Sequence, residues 1–174
     1  WVLQLRGGSD LALRRHNPEF CTTIQMALSA CDQIVCDNRV NIKYAGELGI
    51  SSGKFASIVP VPGSGGIELP NQDELELPSQ RERMILWPKV YEGRWSKSLP
   101  VLAAIQSAWK KIEPCEIYML AVAPGVYEWY LSMPAEIREH CHIAKRVPRQ
   151  EVLALMQRAR ILLAPSLIDG IPNS

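Results

Sequence analysis

The chain has 174 residues, 47% hydrophobic and 21% charged, with a formal net charge of +1. That is the composition of a soluble globular protein, enough for one large domain or parts of two, and its charge marks it as neither a nucleic-acid binder nor an acidic-membrane binder. No apolar run approaches the roughly 18–20 residues of a transmembrane helix, and no signal peptide is visible.

Taken in order, Trp1 to Arg6 predicts a strand, and "RGGSD" a turn after it. Asn17-Pro18 opens a helix running to about Ala30, since proline is tolerated in a first turn. "DQIVCD" is a short buried strand. Asn38 caps a helix over "RVNIKYAGEL", which Gly49 ends. "FASIVPV" is a further strand. The β-α-β-α-β alternation argues for a parallel sheet covered by helices.

From Pro60 to Gln80 the texture changes to "PVPGSGGIELPNQDELELPSQ", rich in proline, glycine and acids and without an apolar period. A new βα series follows it, so this stretch is the expected domain boundary. "RMILWP" is the first strand of the second series. Ser98 and Pro100 open a helix with Leu102, Ile105 and Trp109 on one face. "EIYMLAV" is the next strand, and "VYEWYLSM" and "AEIREH" are helical. "HIAKRV" is the third strand. Pro148 opens "RQEVLALMQRA", with Val152, Leu155, Met156 and Ala159 as its buried stripe, and "ILLAPSL" is the fourth strand.

Five cysteines, an odd number with no CxxC pair, predict reduced thiols in a cytosolic protein. In "HCH", His140 and His142 would share one strand face with Cys141 on the other. Two ligands do not make a metal site, so ordinary residues near a strand start are the simpler reading.

Ligands of open α/β sheets sit at the carboxyl ends of the strands. Three turns there carry candidate chemistry. "PKVYEGRWSKS" holds Lys89, Arg94 and Lys97 just before a helix N-terminus, a combination suited to anions. "SLIDGIPNS" places Asp169 at a strand end. Its Gly170 permits close approach to the backbone, and Asn173 or Ser174 could cap a following helix. "RGGSD" offers the freedom of Gly7 and Gly8 and the carboxylate of Asp10, but no GxGxxG fingerprint. Each turn alone is as well explained by a solvated loop. Together, on two α/β units joined by a linker, they predict an interdomain cleft.

The tail "ARILLAPSLIDGIPNS" resembles the family-4 glycosyltransferases of GT-B fold, whose hallmark is an acid-Gly-x-Pro turn followed by a second acid. The usual Glu-Gly is here Asp169-Gly170, and the second acid would fall beyond Ser174. "ILWPKVYEGRWSKSLPVLAAIQ" is similar to the family's phosphate-binding strand-loop-helix, with Ser98 where a glycine is usual. "LQLRGGSD" is similar to its acceptor-side glycine loop, and "LGISSGKFASIVPVPGSGGIEL" to its domain-crossing segment.

The resemblance implies an α/β protein with Rossmann-like parallel sheets in two partial domains. Residues 1–60 would be the acceptor-side domain, 61–80 the interdomain linker and 81–174 the donor-binding domain. Both abrupt ends then suggest a piece of a longer protein, inactive alone. The parent would be a retaining, cytoplasmic hexosyltransferase using a nucleoside-diphosphate sugar and a hydroxyl acceptor, with peripheral membrane association as one variant. No metal, cofactor or nucleic acid is implied, and no Asp-x-Asp cluster is present. Lys89, Lys97 and Arg94 would face the diphosphate, Arg149 the nucleobase, and Gly170, Asn173 and Ser174 the donor. Asp169 would contact the sugar, and Gly7, Gly8 and Asp10 the acceptor. The alternatives are a non-catalytic nucleotide- or sugar-phosphate-binding module and a sugar-nucleotide epimerase of the same plan.

Overall fold

The computed structural model describes residues 1–7, 9–61, 71 and 74–167, with the backbone alone at Ser9 and Asp10. The described residues divide into two compact units, one within 1–61 and one within 71–167.

The first unit comprises β1 (Val2–Leu5), α1 (Ser9–Arg14), α2 (Pro18–Ala30), β2 (Gln33–Cys36), α3 (Arg39–Glu47) and a 3-10 turn over Ser52–Lys54. β1 and β2 pair in parallel, with Leu3 opposite Ile34. Asn17 caps α2 by accepting from the Glu19 N–H at 2.9 Å, and Pro18 takes the first-turn position where no N–H is needed. Asn38 caps α3 through the Asn41 N–H, also at 2.9 Å. Gly49, at φ +79°, adopts the left-handed conformation that ends a helix without a Cβ clash. Leu11, Leu28, Cys31, Ile34, Cys36, Ala45 and Ile50 form the core.

Two sequence expectations differ here. Ser9 and Asp10 are not turn residues but the first turn of α1, a helix that the sequence pattern does not predict. Leu11 is buried in the core, and Arg15, just past the helix, holds Glu47 at 2.7 Å and lies over the Tyr44 ring. These tertiary contacts stabilise six helical residues that would be too short alone. "FASIVPV" is not a strand. Phe55 makes one parallel bridge to Ile34, and the N–H groups of Ala56 and Val61 reach Ile34 and Cys36 at 2.8 Å each. Pro60 has no N–H to continue a ladder, and Ile58 is exposed.

The second unit comprises β3 (Glu82–Trp87), α4 (Ser98–Ile112), β4 (Glu116–Leu120), α5 (Pro124–Leu131), α6 (Ala135–Arg138), β5 (Cys141–Ala144), α7 (Arg149–Arg158) and β6 (Ala159–Leu162). All four strands are parallel, in the order β5-β4-β3-β6. Alternation along β3 sends Ile85 and Trp87 to one face and Met84 and Leu86 to the other, and all four are buried. The first face packs on α4, α5 and α6 through Leu102, Ile105, Trp109, Val126 and Ile137. The second packs on α7 through Leu155, Val152 and Met156.

This is a doubly wound, Rossmann-like α/β sheet. The chain moves outward from β3 to β4 and β5, then crosses back to the far side of β3 to lay down β6. Right-handed crossovers put the helices of the outward run on one face and the returning helix on the other. The order therefore reverses between β3 and β6, and ligands of such sheets bind outside the carboxyl ends at that reversal. No helix among the described residues is long and apolar enough to cross a membrane.

Candidate functional site

At the carboxyl end of β3, the chain runs through Pro88 to Lys97 before α4 begins. Parallel pairing puts the segment after β6, Leu163 to Leu167, beside it. The two are pinned together: Lys97 N–H donates to Pro165 O at 3.3 Å and Leu167 N–H to Trp95 O at 2.8 Å, with an antiparallel bridge between Ser96 and Ser166. Within the loop, Glu92 and Lys97 form another antiparallel bridge, closed by the Gly93 N–H on Ser96 O at 3.0 Å. Val90 is buried and its N–H reaches Leu120 O at 3.2 Å, tying the loop to the end of β4. The switch point is thus lined by a tightly folded hairpin rather than a loose loop.

The hairpin carries three cations and one carboxylate. Lys89 is exposed, its Nζ 5.1 Å from the Tyr91 ring centroid. The Arg94 guanidinium lies 4.7 Å over the Trp95 ring. Both contacts leave the charge able to meet an anion. Lys97 is more engaged: its ammonium donates to Gly93 O at 2.9 Å and lies 3.5 Å from Glu92 Oε1.

Glu92 itself caps α4. Leu99 N–H donates to Glu92 Oε2 at 2.8 Å, while the N-cap residue Lys97 makes no side-chain cap bond. Pro100 has no N–H, so Ser98 and Leu99 are the first-turn donors ahead of it. The Leu99 N–H, above all, with smaller contributions from Lys97 and Ser98, holds the Glu92 carboxyl below the usual carboxylate range. The helix N-terminus expected to receive a phosphate thus holds the chain's own carboxylate.

Two buried polar atoms border the same hairpin. Trp87 ends β3 with its indole N–H buried, and Ser96 is 1% exposed. Neither Trp87 Nε1 nor Ser96 Oγ has a hydrogen-bond partner among the described residues.

Arg149, exposed, is the first residue of α7 and follows β5 at the same end of the sheet. Two strand spacings separate β5 from β3, roughly 10 Å. Between them, at the ends of β4 and β5, lies a pocket of about 420 Å³ lined by Val122, Pro124, Tyr127, Ile143 and Lys145. Ala121, which leads into it, has φ +49°, a conformation unusual for a residue with a Cβ.

Asp169, Gly170, Asn173, Ser174 and Gly8 lie outside the described residues, as does the side chain of Asp10. Gly7 follows β1, and its N–H donates to the carboxylate of Asp37 at the end of the adjacent β2. Asp37 is buried and also accepts from Asn38 Nδ2 at 2.6 Å and Asn41 Nδ2 at 3.4 Å. Neither Asp37 nor Glu92 is among the residues to which the sequence pattern points. The one available signal for Asp37 was an acid closing a short apolar strand.

The "HCH" residues stand at the opposite, amino end of the sheet. His140 Nδ1 and His142 Nε2 bond the two oxygens of Glu116, at 2.8 and 2.6 Å. The carboxylate divides itself between two imidazoles. Among the described residues, no group of three or more His, Cys, Asp or Glu side chains is arranged to hold a metal ion.

No family model matches the chain, and the search of curated proteins finds no match.

Proposed function

We propose that this chain is part of a retaining GT-B glycosyltransferase, its first unit belonging to the acceptor side and its second unit binding a nucleoside-diphosphate sugar. The observation that carries the reading is the hairpin Lys89–Lys97, three cations at the switch point of a doubly wound sheet. The sequence Asp169-Gly170-Ile171-Pro172, outside the described residues, adds to it by its resemblance to the family's motif. A diphosphate is the ligand that best uses cations grouped beside a helix N-terminus. The pocket beside Tyr127 and Lys145, at the same end of the sheet, suits the less charged remainder of such a donor.

In the reaction, the glycosidic bond of the donor breaks and negative charge builds on the leaving diphosphate. Lys89, Arg94 and Lys97 stabilise that charge, more in the transition state than in the ground state. The acceptor hydroxyl bonds to the anomeric carbon on the face that the diphosphate leaves and gives its proton to the departing phosphate oxygen, so configuration is retained. Asp169, outside the described residues, is assigned to the donor sugar by the family resemblance alone.

A panel of nucleoside-diphosphate sugars, titrated onto the protein and read by thermal shift and calorimetry, tests this. At least one donor is expected to bind and to raise the melting temperature, while the free sugar does neither. If no member of the panel binds better than the free sugar, the reading fails.

A further inference from the structure

The anion that faces the first turn of α4 is internal. We infer that Glu92 is a built-in plug: its carboxylate holds the place of a donor phosphate and must swing out before a diphosphate can bind. The inference rests on the donor-binding reading above and assigns that site a gate.

Four observations carry it. Leu99 N–H, a strong donor at the start of the helix, is spent on Glu92 Oε2 at 2.8 Å. Lys97, one of three cations in the hairpin, is the one paired with the same carboxylate. Pro100 contributes no N–H, so the first turn has no donor there to spare for a second anion. Ser96, two residues before α4, keeps a buried hydroxyl without a partner among the described residues, although buried hydroxyls are normally bonded. A phosphate has acceptors enough for the Leu99 N–H and the Lys97 ammonium with oxygens to spare, where the one carboxylate is taken up by these two.

The plug is built to move. Its bonds to Leu99 and Lys97 come from a side chain with three rotatable bonds on a partly exposed residue, while the hairpin backbone is fixed by its own bridges. Rotation about those bonds releases the helix end without refolding the loop. The exchange is one anion for another, so the helix is capped in both states. In the plugged state the carboxylate repels incoming phosphate and neutralises Lys97. A weakly charged ligand would not displace it, whereas a diphosphate with several charged oxygens would.

The test uses pyrophosphate as the probe, titrated onto wild type, Glu92→Gln, Glu92→Asp and Lys97→Ala, with the Leu99 amide followed by NMR. Glu92→Gln keeps an acceptor for the helix end but removes the charge, and should bind pyrophosphate at least about tenfold tighter than wild type. Glu92→Asp keeps the charge on a shorter arm and should fall between the two, which guards against a misfolded Gln variant. In wild type, the Leu99 amide resonance should move as pyrophosphate saturates. If wild type binds pyrophosphate, Lys97→Ala weakens it, and Glu92→Gln binds no tighter than wild type, the plug is wrong and the donor-binding reading stands. If neither wild type nor Glu92→Gln binds pyrophosphate or any nucleoside diphosphate, both are wrong.

Discussion

Leu99 and Glu92 stand seven residues apart, and the N–H of the first donates to the carboxylate of the second at 2.8 Å. The cap of α4 therefore comes from the far strand of a hairpin, not from the residue before the helix. Removing it should matter to folding as well as to binding. Glu92→Ala should lower the urea midpoint, and Glu92→Gln should lower it less, because an amide oxygen still accepts from Leu99. Identical midpoints for all three proteins would show that the bond contributes nothing to stability.

Asp37 makes a similar connection in the first unit, where it holds the Gly7 N–H across 30 residues of chain. Asp37→Ala leaves the part-buried Gly7 and Asn38 and the buried Asn41 each short of an acceptor, and should cost about 1–3 kcal/mol. Asn38→Ala, which removes the α3 cap, should cost about 0.5–2 kcal/mol. Chemical denaturation measures both. A smaller loss for Asp37→Ala than for Asn38→Ala would place little weight on the Gly7 contact.

Leu102 is 1% exposed between α4 and the sheet, while Gln106, one turn on, faces solvent. Leu102→Ala should destabilise by about 2–5 kcal/mol through lost burial and the cavity left behind. Gln106→Ala should stay within about 0.5 kcal/mol of wild type. Equal effects would mean that α4 does not pack as described.

The two imidazoles on Glu116 give a pH prediction. The hydrogen bond from His140, then that from His142, holds the Glu116 carboxyl below its ordinary value of 4.5. A carboxylate depressed in the folded state adds stability that is complete above its unfolded pKa and is lost as pH falls through the folded one. Wild type should therefore lose more stability than Glu116→Gln between about pH 5 and pH 3. The effect should be modest, because Glu116 is partly exposed. Parallel acid limbs in urea midpoints measured across that range would contradict it.

The sequence carried most of the second unit because its signals are local and periodic. The spacing of Leu102, Ile105 and Trp109 marks one helix face, and Met84 to Trp87 are apolar without alternation because both sheet faces are covered. Strand order was not legible, since pairing β3 with both β4 and β6 depends on contacts far apart in sequence. α1 is not legible in the sequence because Leu11 and Arg15 stabilise it through the rest of the unit rather than through its own six residues. "FASIVPV" has the apolar content of a strand, yet Pro60 removes a ladder donor and only Phe55 forms a bridge. At the site, the cations were visible in "PKVYEGRWSKS", but their partners were not. Glu92 looked like one acid in a basic loop, and only the fold brings it to the Leu99 N–H and the Lys97 ammonium.

The β3–α4 hairpin is proposed to bind a diphosphate. Calorimetric titration of wild type and Lys97→Ala with a nucleoside diphosphate and with its bare nucleoside tests it most directly. Lys97 should contribute one charge-assisted hydrogen bond once Glu92 has left, so the diphosphate should bind Lys97→Ala roughly 10- to 150-fold more weakly. The nucleoside, which lacks the charge, should bind both proteins alike. Equal losses for the two ligands, or no loss for either, would contradict the account.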